Sequence, residues 1–236
     1  GPENVVGVTM PSHITSKETY SDALALAENL GIKWHVRSIE KQYRAWEEDA
    51  RAAHGGDLDG LTKQNVQARI RGQILMEYSN EDRSAIVLTT GNKTELAVGY
   101  STLYGDMCGG LNVLGDVPKE RVYELSRYAN ALKRRSNIPP STIERPPTAE
   151  LEPGQLDEDN LPADYSILSP LTDKIAGGRH SRQELEQEYP AQVVQRTMRL
   201  VSGAEYKRRQ AAPCIRVSEK SFGAGRRFPI DNRFFD

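Results

Sequence analysis

The stretch Thr89-Thr90-Gly91-Asn92 follows an apolar run, Ala85-Ile86-Val87-Leu88, and precedes a helical pattern with Glu95 in its first turn. A strand end that opens a helix is where an open α/β sheet receives a nucleotide. On its own, Thr90 reads as a helix N-cap and Glu95 as a first-turn acid favoured by the helix dipole. Asn65 and Arg69 stand four apart and share one helix face, while Arg71 points elsewhere on the same helix. Lys119 follows Val117-Pro118 at a helix start. A cation there opposes the dipole and hints at a phosphate partner. Tyr104-Gly105-Asp106 sits in a Gly-rich stretch, where Asp106 either accepts hydrogen bonds from a ligand or forms a turn. His13, His35, His54 and His180 have no metal-ligand spacing and read as surface or packing residues.

The elements that must position these residues follow from periodicity. Val5 to Met10 reads as a buried strand, Tyr20 to Leu30 as a helix stopped by Gly31, and Lys33 to Ile39 as a second strand. Helices follow over about Glu40 to Ala53 and Leu61 to Tyr78, and Ala85 to Thr89 reads as a third buried strand. This order predicts an α/β fold with a doubly wound parallel sheet. Val117 to Arg135 is helical. Residues 136–165, rich in Pro and acids, predict a long acidic loop or lid. Ser181-Arg182-Gln183-Glu184 is a capping box, and Pro190 opens another helix through about Ser202. Ala176-Gly177-Gly178-Arg179-His180-Ser181 looks like a phosphate loop, but a helix precedes it where such a loop needs a strand, so it reads as a helix-breaking turn.

Composition excludes several classes. In 236 residues, 31 basic against 33 acidic side chains give a net charge of −2, and 37% of residues are hydrophobic. Mean hydropathy is −0.63. No apolar run is long enough to span a membrane. Two cysteines, Cys108 and Cys214, exclude a disulfide scaffold and a four-Cys zinc site and suggest a reducing, cytoplasmic setting. The C-terminal tail, residues 203–236, carries eight basic and four acidic side chains, so it is +4 while the first 202 residues are −6. With Phe222, Phe228, Phe234 and Phe235, this tail is either an RNA-binding arm or an arm laid over its own domain or a neighbouring subunit. The four aromatics favour burial. The tail also has the charge to close over a phosphorylated small ligand.

Four ordered blocks carry a resemblance. They are Asn65-Val-Gln-Ala-Arg69-Ile-Arg71, Leu88-Thr-Thr-Gly-Asn-Lys-Thr-Glu-Leu-Ala-Val-Gly-Tyr-Ser-Thr-Leu-Tyr-Gly-Asp106, Pro147-Thr-Ala-Glu-Leu151 and Tyr206-Lys-Arg-Arg-Gln210. Together they resemble the synthetase domain of the NAD synthetase family, N-type ATP pyrophosphatases with an adenine nucleotide alpha hydrolase-like fold. Pro213-Cys-Ile-Arg-Val through Arg233 is similar to the glutamine-dependent form. Leu103 and Tyr206 stand where short ammonia-dependent members carry Lys and His.

The resemblance implies ATP-dependent amidation of deamido-NAD to NAD through an adenylated intermediate, with ATP as co-substrate and Mg²⁺. It implies ATP contacts from Thr90, Lys119, Thr148 and Met10, the last with Pro11, Ser12, Thr15 and Ser16 beside the adenine. It implies deamido-NAD contacts from Asn65, Arg69, Glu95, Tyr104, Asp106 and Lys207, with Glu95 alternatively on Mg²⁺. Turn or cap roles stay open for Thr148 and Asp106. The resemblance also implies ammonia, or glutamine through a glutaminase domain, a homo-oligomer, and no nucleic-acid or membrane partner.

The family's Ser-Gly-Gly-x-Asp-Ser phosphate loop and the Glu-Lys-Cys triad of its glutaminase are not in this sequence. The expectation is therefore one synthetase domain over residues 1–236, truncated at its N-terminal strand, with a helical C-terminal part and an extended tail. Its exposed strand edges predict self-association. The alternative is a catalytically incomplete fragment or degenerate subunit that only binds deamido-NAD or a partner chain.

Overall fold

The computed structural model describes residues 1–132 and 137–231. Val6–Thr9 forms β1 and Lys33–Val36 forms β2, parallel neighbours that pair Val6 with Lys33 and Thr9 with Val36. Parallel neighbours need a crossover, and α1 (Lys17–Leu30) supplies it. Its start is fixed by Ser16, whose side chain accepts from the Thr19 amide, and its end by Gly31 at φ +66°, a left-handed position that suits glycine. Next come α2 (Glu40–His54) and the long α3 (Gly60–Glu81). A second parallel pair, β3 (Leu88–Thr89) and β4 (Leu111–Asn112), is separated by α4 (Lys93–Val98).

The remaining chain is helical. It comprises α5 (Lys119–Leu132), α6 (Pro140–Glu144), α7 (Tyr165–Gly177), α8 (Arg182–Glu188), α9 (Ala191–Gly203) and α10 (Glu205–Arg208). The expected capping box opens α8, with Ser181 and Glu184 bonded reciprocally. Gly178, at φ +67°, ends α7, so the Gly-Gly stretch is a helix stop. The core lies where α4, α7, α8 and α9 meet, around Ala97, Leu171, Ile175, Leu185, Val194 and Val201.

The sheet departs from expectation in its burial. Ala85 to Val87 fall outside β3, and the strands read as buried are half exposed: Val6 is 50%, Ile86 59% and Leu88 47% accessible. Among the described residues β1 pairs only with β2, and β3 only with β4. Among the described residues β1, β2 and β3 each keep an unpaired edge, whereas β4 is bridged by Cys214 on its far side.

The acidic segment is anchored rather than free. Within it, α6 and a short 3-10 turn at Asp157–Asp159 are formed. Thr19 Oγ1 donates to Glu150 Oε1 at 2.8 Å and Gln67 Nε2 to the Leu151 carbonyl at 3.0 Å, tying the segment to α1 and α3. Arg145 pairs with Asp22.

The described part of the tail, residues 203–231, lies on its own domain. Cys214 bridges Asn112, and Phe222 is buried in the core with Phe228 packed against it. These rings are not available to stack on bases. Arg233, Phe234 and Phe235 lie outside the described residues.

Candidate functional site

The C-terminal ends of β1 and β3 open onto one cavity of about 950 Å³. Met10 enters it just after β1, and Thr90 just after β3. From α3 come Asn65 and Arg69, and from the start of α4 and α5 come Glu95 and Lys119. Asp106 enters from the loop after α4, Thr148 from the acidic segment and Lys207 from α10. Residues from far-apart sequence blocks are thus brought together.

Tyr104 is the exception. It is 65% exposed, adopts φ +63° and donates its hydroxyl to Gln210 Oε1 rather than lining the cavity. Of the segment expected beside the adenine, only Met10 reaches the cavity; Ser16 caps α1, and Ser12 and Thr15 bond each other.

The electrostatic centre is Glu95. Its Oε2 accepts from the Asn92 amide at 3.0 Å while Asn92 Oδ1 accepts from the Glu95 amide at 3.1 Å, a complete capping box. The cap is therefore Asn92, not Thr90. Glu95 Oε1 lies 3.0 Å from Lys119 Nζ. The ammonium also sits 5.0 Å above the Tyr165 ring and 5.9 Å above that of Tyr123. Burial alone lowers the Lys119 pKa, but the Glu95 charge outweighs it and leaves the ammonium above its usual value. In this state the partner of Lys119 is the Glu95 carboxylate.

Asp157 is a site residue that the sequence did not reveal. It is buried, lines the cavity and accepts from Tyr165 at 3.0 Å and Tyr100 at 3.3 Å. Burial pushes its carboxyl up despite those hydrogen bonds. It stands in the acidic run Asp157-Glu158-Asp159, where it looks like a solvated charge. Neither tyrosine has a sequence spacing that announces it. Arg71, on another part of α3, lines the cavity too, its Nε donating to the Met10 carbonyl at 3.0 Å. Its long stem brings the head around the helix.

On the opposite wall, Asn65 Oδ1 accepts from Thr102 Oγ1 at 2.8 Å, and Arg69 Nε donates to the Leu103 carbonyl at 3.2 Å. Asp106 accepts from the Thr102 amide, and desolvation raises its carboxyl. This loop packs tightly on α3, since a Cβ on Gly105 would lie 2.8 Å from Ala68 Cβ. Lys207 Nζ donates to the carbonyls of Gly99 at 2.8 Å and Ser101 at 2.7 Å, and burial lowers its pKa. Thr148 Oγ1 accepts from the Glu150 amide at 3.1 Å, a turn bond made while the residue faces the cavity.

Both cysteines are free thiols, and burial pushes both up, as suits structural rather than nucleophilic groups. A resident metal site does not fit. Among the described residues no group of three or more His, Cys, Asp or Glu can hold an ion, and both Glu95 oxygens are engaged. Likewise, no helix of the described residues is long and apolar enough to cross a membrane.

Parallel strands joined through helices, with a cavity beyond the strand ends lined by Arg69, Arg71, Lys119 and Lys207, define an α/β fold with a cleft where such folds receive their ligands. Residues 1–211 match the family model described as NAD synthase, and the chain belongs to that family. It is 43% identical over 235 residues to a glutamine-dependent NAD(+) synthetase of Synechocystis sp., covering 99% of this chain and 41% of that protein. The chain thus spans well under half the length of the curated relatives it matches. A solved glutamine-dependent NAD+ synthetase of Acinetobacter baumannii, in complex with ADP, superposes with a TM-score of 0.60 at 35% identity, over 98% of this chain and 41% of that one. One from Cytophaga hutchinsonii reaches a TM-score of 0.78 at 24% identity, over 97% and 38%, and speaks for the fold.

Proposed function

We propose that this chain carries the synthetase site of a glutamine-dependent NAD synthetase, amidating deamido-NAD to NAD at the expense of ATP. The nicotinate carboxylate attacks the α-phosphorus of ATP, pyrophosphate leaves, and ammonia then displaces AMP from the acyl adenylate. The observation that carries this reading is the convergence on one cavity of four cations and three carboxylates drawn from separate sequence blocks. Arg69, Arg71, Lys119 and Lys207 suit a ligand with several phosphates. Met10, Thr90, Lys119 and Thr148 are assigned to ATP, and Asn65, Arg69, Asp106 and Lys207 to deamido-NAD, with Tyr104 at the cavity's margin to be tested. Binding of the triphosphate draws Lys119 off Glu95, freeing that carboxylate for substrate.

The unpaired edges of β1 and β3 favour a second reading beside this one. Either edge presents backbone groups on which one more strand, such as the one that leads into the family's phosphate loop, could pair. On this second reading the site binds deamido-NAD but does not adenylate it. The deciding experiment supplies the purified chain with deamido-NAD, ATP, Mg²⁺ and ammonium and measures NAD. Ammonium bypasses any glutaminase. Turnover supports the first reading, and binding without turnover supports the second. Absence of both overturns the assignment.

A further inference from the structure

We infer that the C-terminal segment around Ser218 and Phe222 is a strap that positions Glu95 by holding α4 at both ends. A helix of six residues does not sustain itself. Its first residue, Lys93, puts a cation at the unfavourable end of the dipole, and that side chain is 3% exposed. Its Nζ lies 2.6 Å from Asp173, 3.1 Å from Asp116 and 2.8 Å from Ser218 Oγ. Asp116 is fully buried, and the strap saturates it. The amides of Val217 and Ser218 donate at 2.8 and 2.7 Å, and Ser218 Oγ donates at 2.8 Å. Ser218 therefore completes the charge pair that allows Lys93 to be buried at the helix start.

The other end is held in the same manner. Arg208 donates to the carbonyls of Leu96 at 3.2 Å and Ala97 at 2.7 Å, the free acceptors at the end of α4. Its guanidinium lies between Phe222, 4.7 Å from the ring centre, and Phe228, at 5.6 Å, and pairs with buried Glu205. Phe222 also packs in the cluster that contains Ala97. Each end of α4 thus ends on a buried cation whose surroundings are completed by residues 217–228, and Glu95 projects between those ends. Ser218, Phe222 and Arg208 are positioning residues, acting through α4. That Glu95 serves the reaction rests on the proposed function; the strap itself does not.

The test uses the full chain with Ser218→Ala, Ser218→Thr and Arg208→Lys. Two local readouts are followed: hydrogen exchange at the amides of Leu96 to Tyr100, and acetylation of Lys119 by acetic anhydride. Ser218→Ala and Arg208→Lys are expected to raise both by about tenfold while exchange in α2 stays unchanged, and Ser218→Thr, which restores the hydroxyl, is expected to match the native chain. Should Arg208→Lys fail to fold, Ser218→Ala and its rescue still decide. Unchanged exchange at α4, or a rise spread evenly over the chain, overturns the strap. Failure of the proposed function shows separately, as a native chain that binds neither ATP nor deamido-NAD.

Discussion

Lys119 Nζ stands 3.0 Å from Glu95 Oε1, while the other oxygen of Glu95 caps the start of its own helix. One carboxylate thus serves the fold and the site with different atoms. Glu95→Gln retains an oxygen for the Asn92 amide and loses the charge that Lys119 faces. The expected cost is about 1 kcal/mol, or a fall of about 3 °C in Tm. Turnover in the assembled enzyme should fall about 100-fold. A thermal melt and an assay of NAD formation check this, and native turnover in the variant would remove Glu95 from the mechanism.

Asp116 links stability to pH. Burial works to raise its carboxyl, but the hydrogen bonds from Ser218 and Val217 and the contact with Lys93 outweigh it and hold the pKa below the ordinary 3.8. A lowered folded pKa gives stabilisation that is complete above the unfolded value and lost as pH falls through the folded one. Asp116→Asn keeps the volume and removes the charge, leaving Lys93 with Asp173. It should cost about 3 kcal/mol at pH 7, and its deficit should shrink below about pH 4. Urea titrations at the two pH values measure this, and a constant deficit would contradict it.

Tyr104 holds a left-handed backbone at an exposed position. That conformation costs a non-glycine residue about 1 kcal/mol. Tyr104→Gly relieves the strain and gives up a similar amount of chain entropy, so Tm should barely move. Affinity for deamido-NAD should fall about tenfold if the ring packs on the ligand. Calorimetry and a binding titration separate the two effects, and unchanged affinity would take Tyr104 out of the site.

Gly99 ends α4 at φ +72°, and a Cβ there would stand 2.7 Å from Ala204 Cβ. Gly99→Ala combines backbone strain with a clash against the start of α10, which carries Lys207. A loss of about 2–3 kcal/mol is expected, with weaker deamido-NAD binding because the Lys207 contacts to Gly99 and Ser101 are displaced. A Tm equal to that of the native chain would mean that α10 yields without cost.

The sequence made much of this legible because local rules govern helix ends. Gly31, Gly178 and the Ser181–Glu184 capping box mark boundaries that the fold keeps. The site blocks were legible too, since the residues that converge come from compact motifs. What stayed hidden depends on distant partners. The run Ala85–Thr89 has the pattern of a buried strand, but burial requires a neighbour on each edge, and β3 has one. Asp157 resembles its acidic neighbours until Tyr100 and Tyr165 are folded against it. The Glu95 partner of Lys119 is hidden because it is 24 residues away in the chain. Arg71 leaves its helix face through side-chain length, which periodicity does not encode.

The most direct measurement is an isothermal titration of deamido-NAD into the purified chain, repeated with Asn65→Ala and Arg69→Ala. The account expects saturable binding at one site, weakened about tenfold by each variant through the loss of a polar contact. Absence of binding at millimolar ligand, or affinity indifferent to both substitutions, would contradict the assignment of this cavity to the dinucleotide.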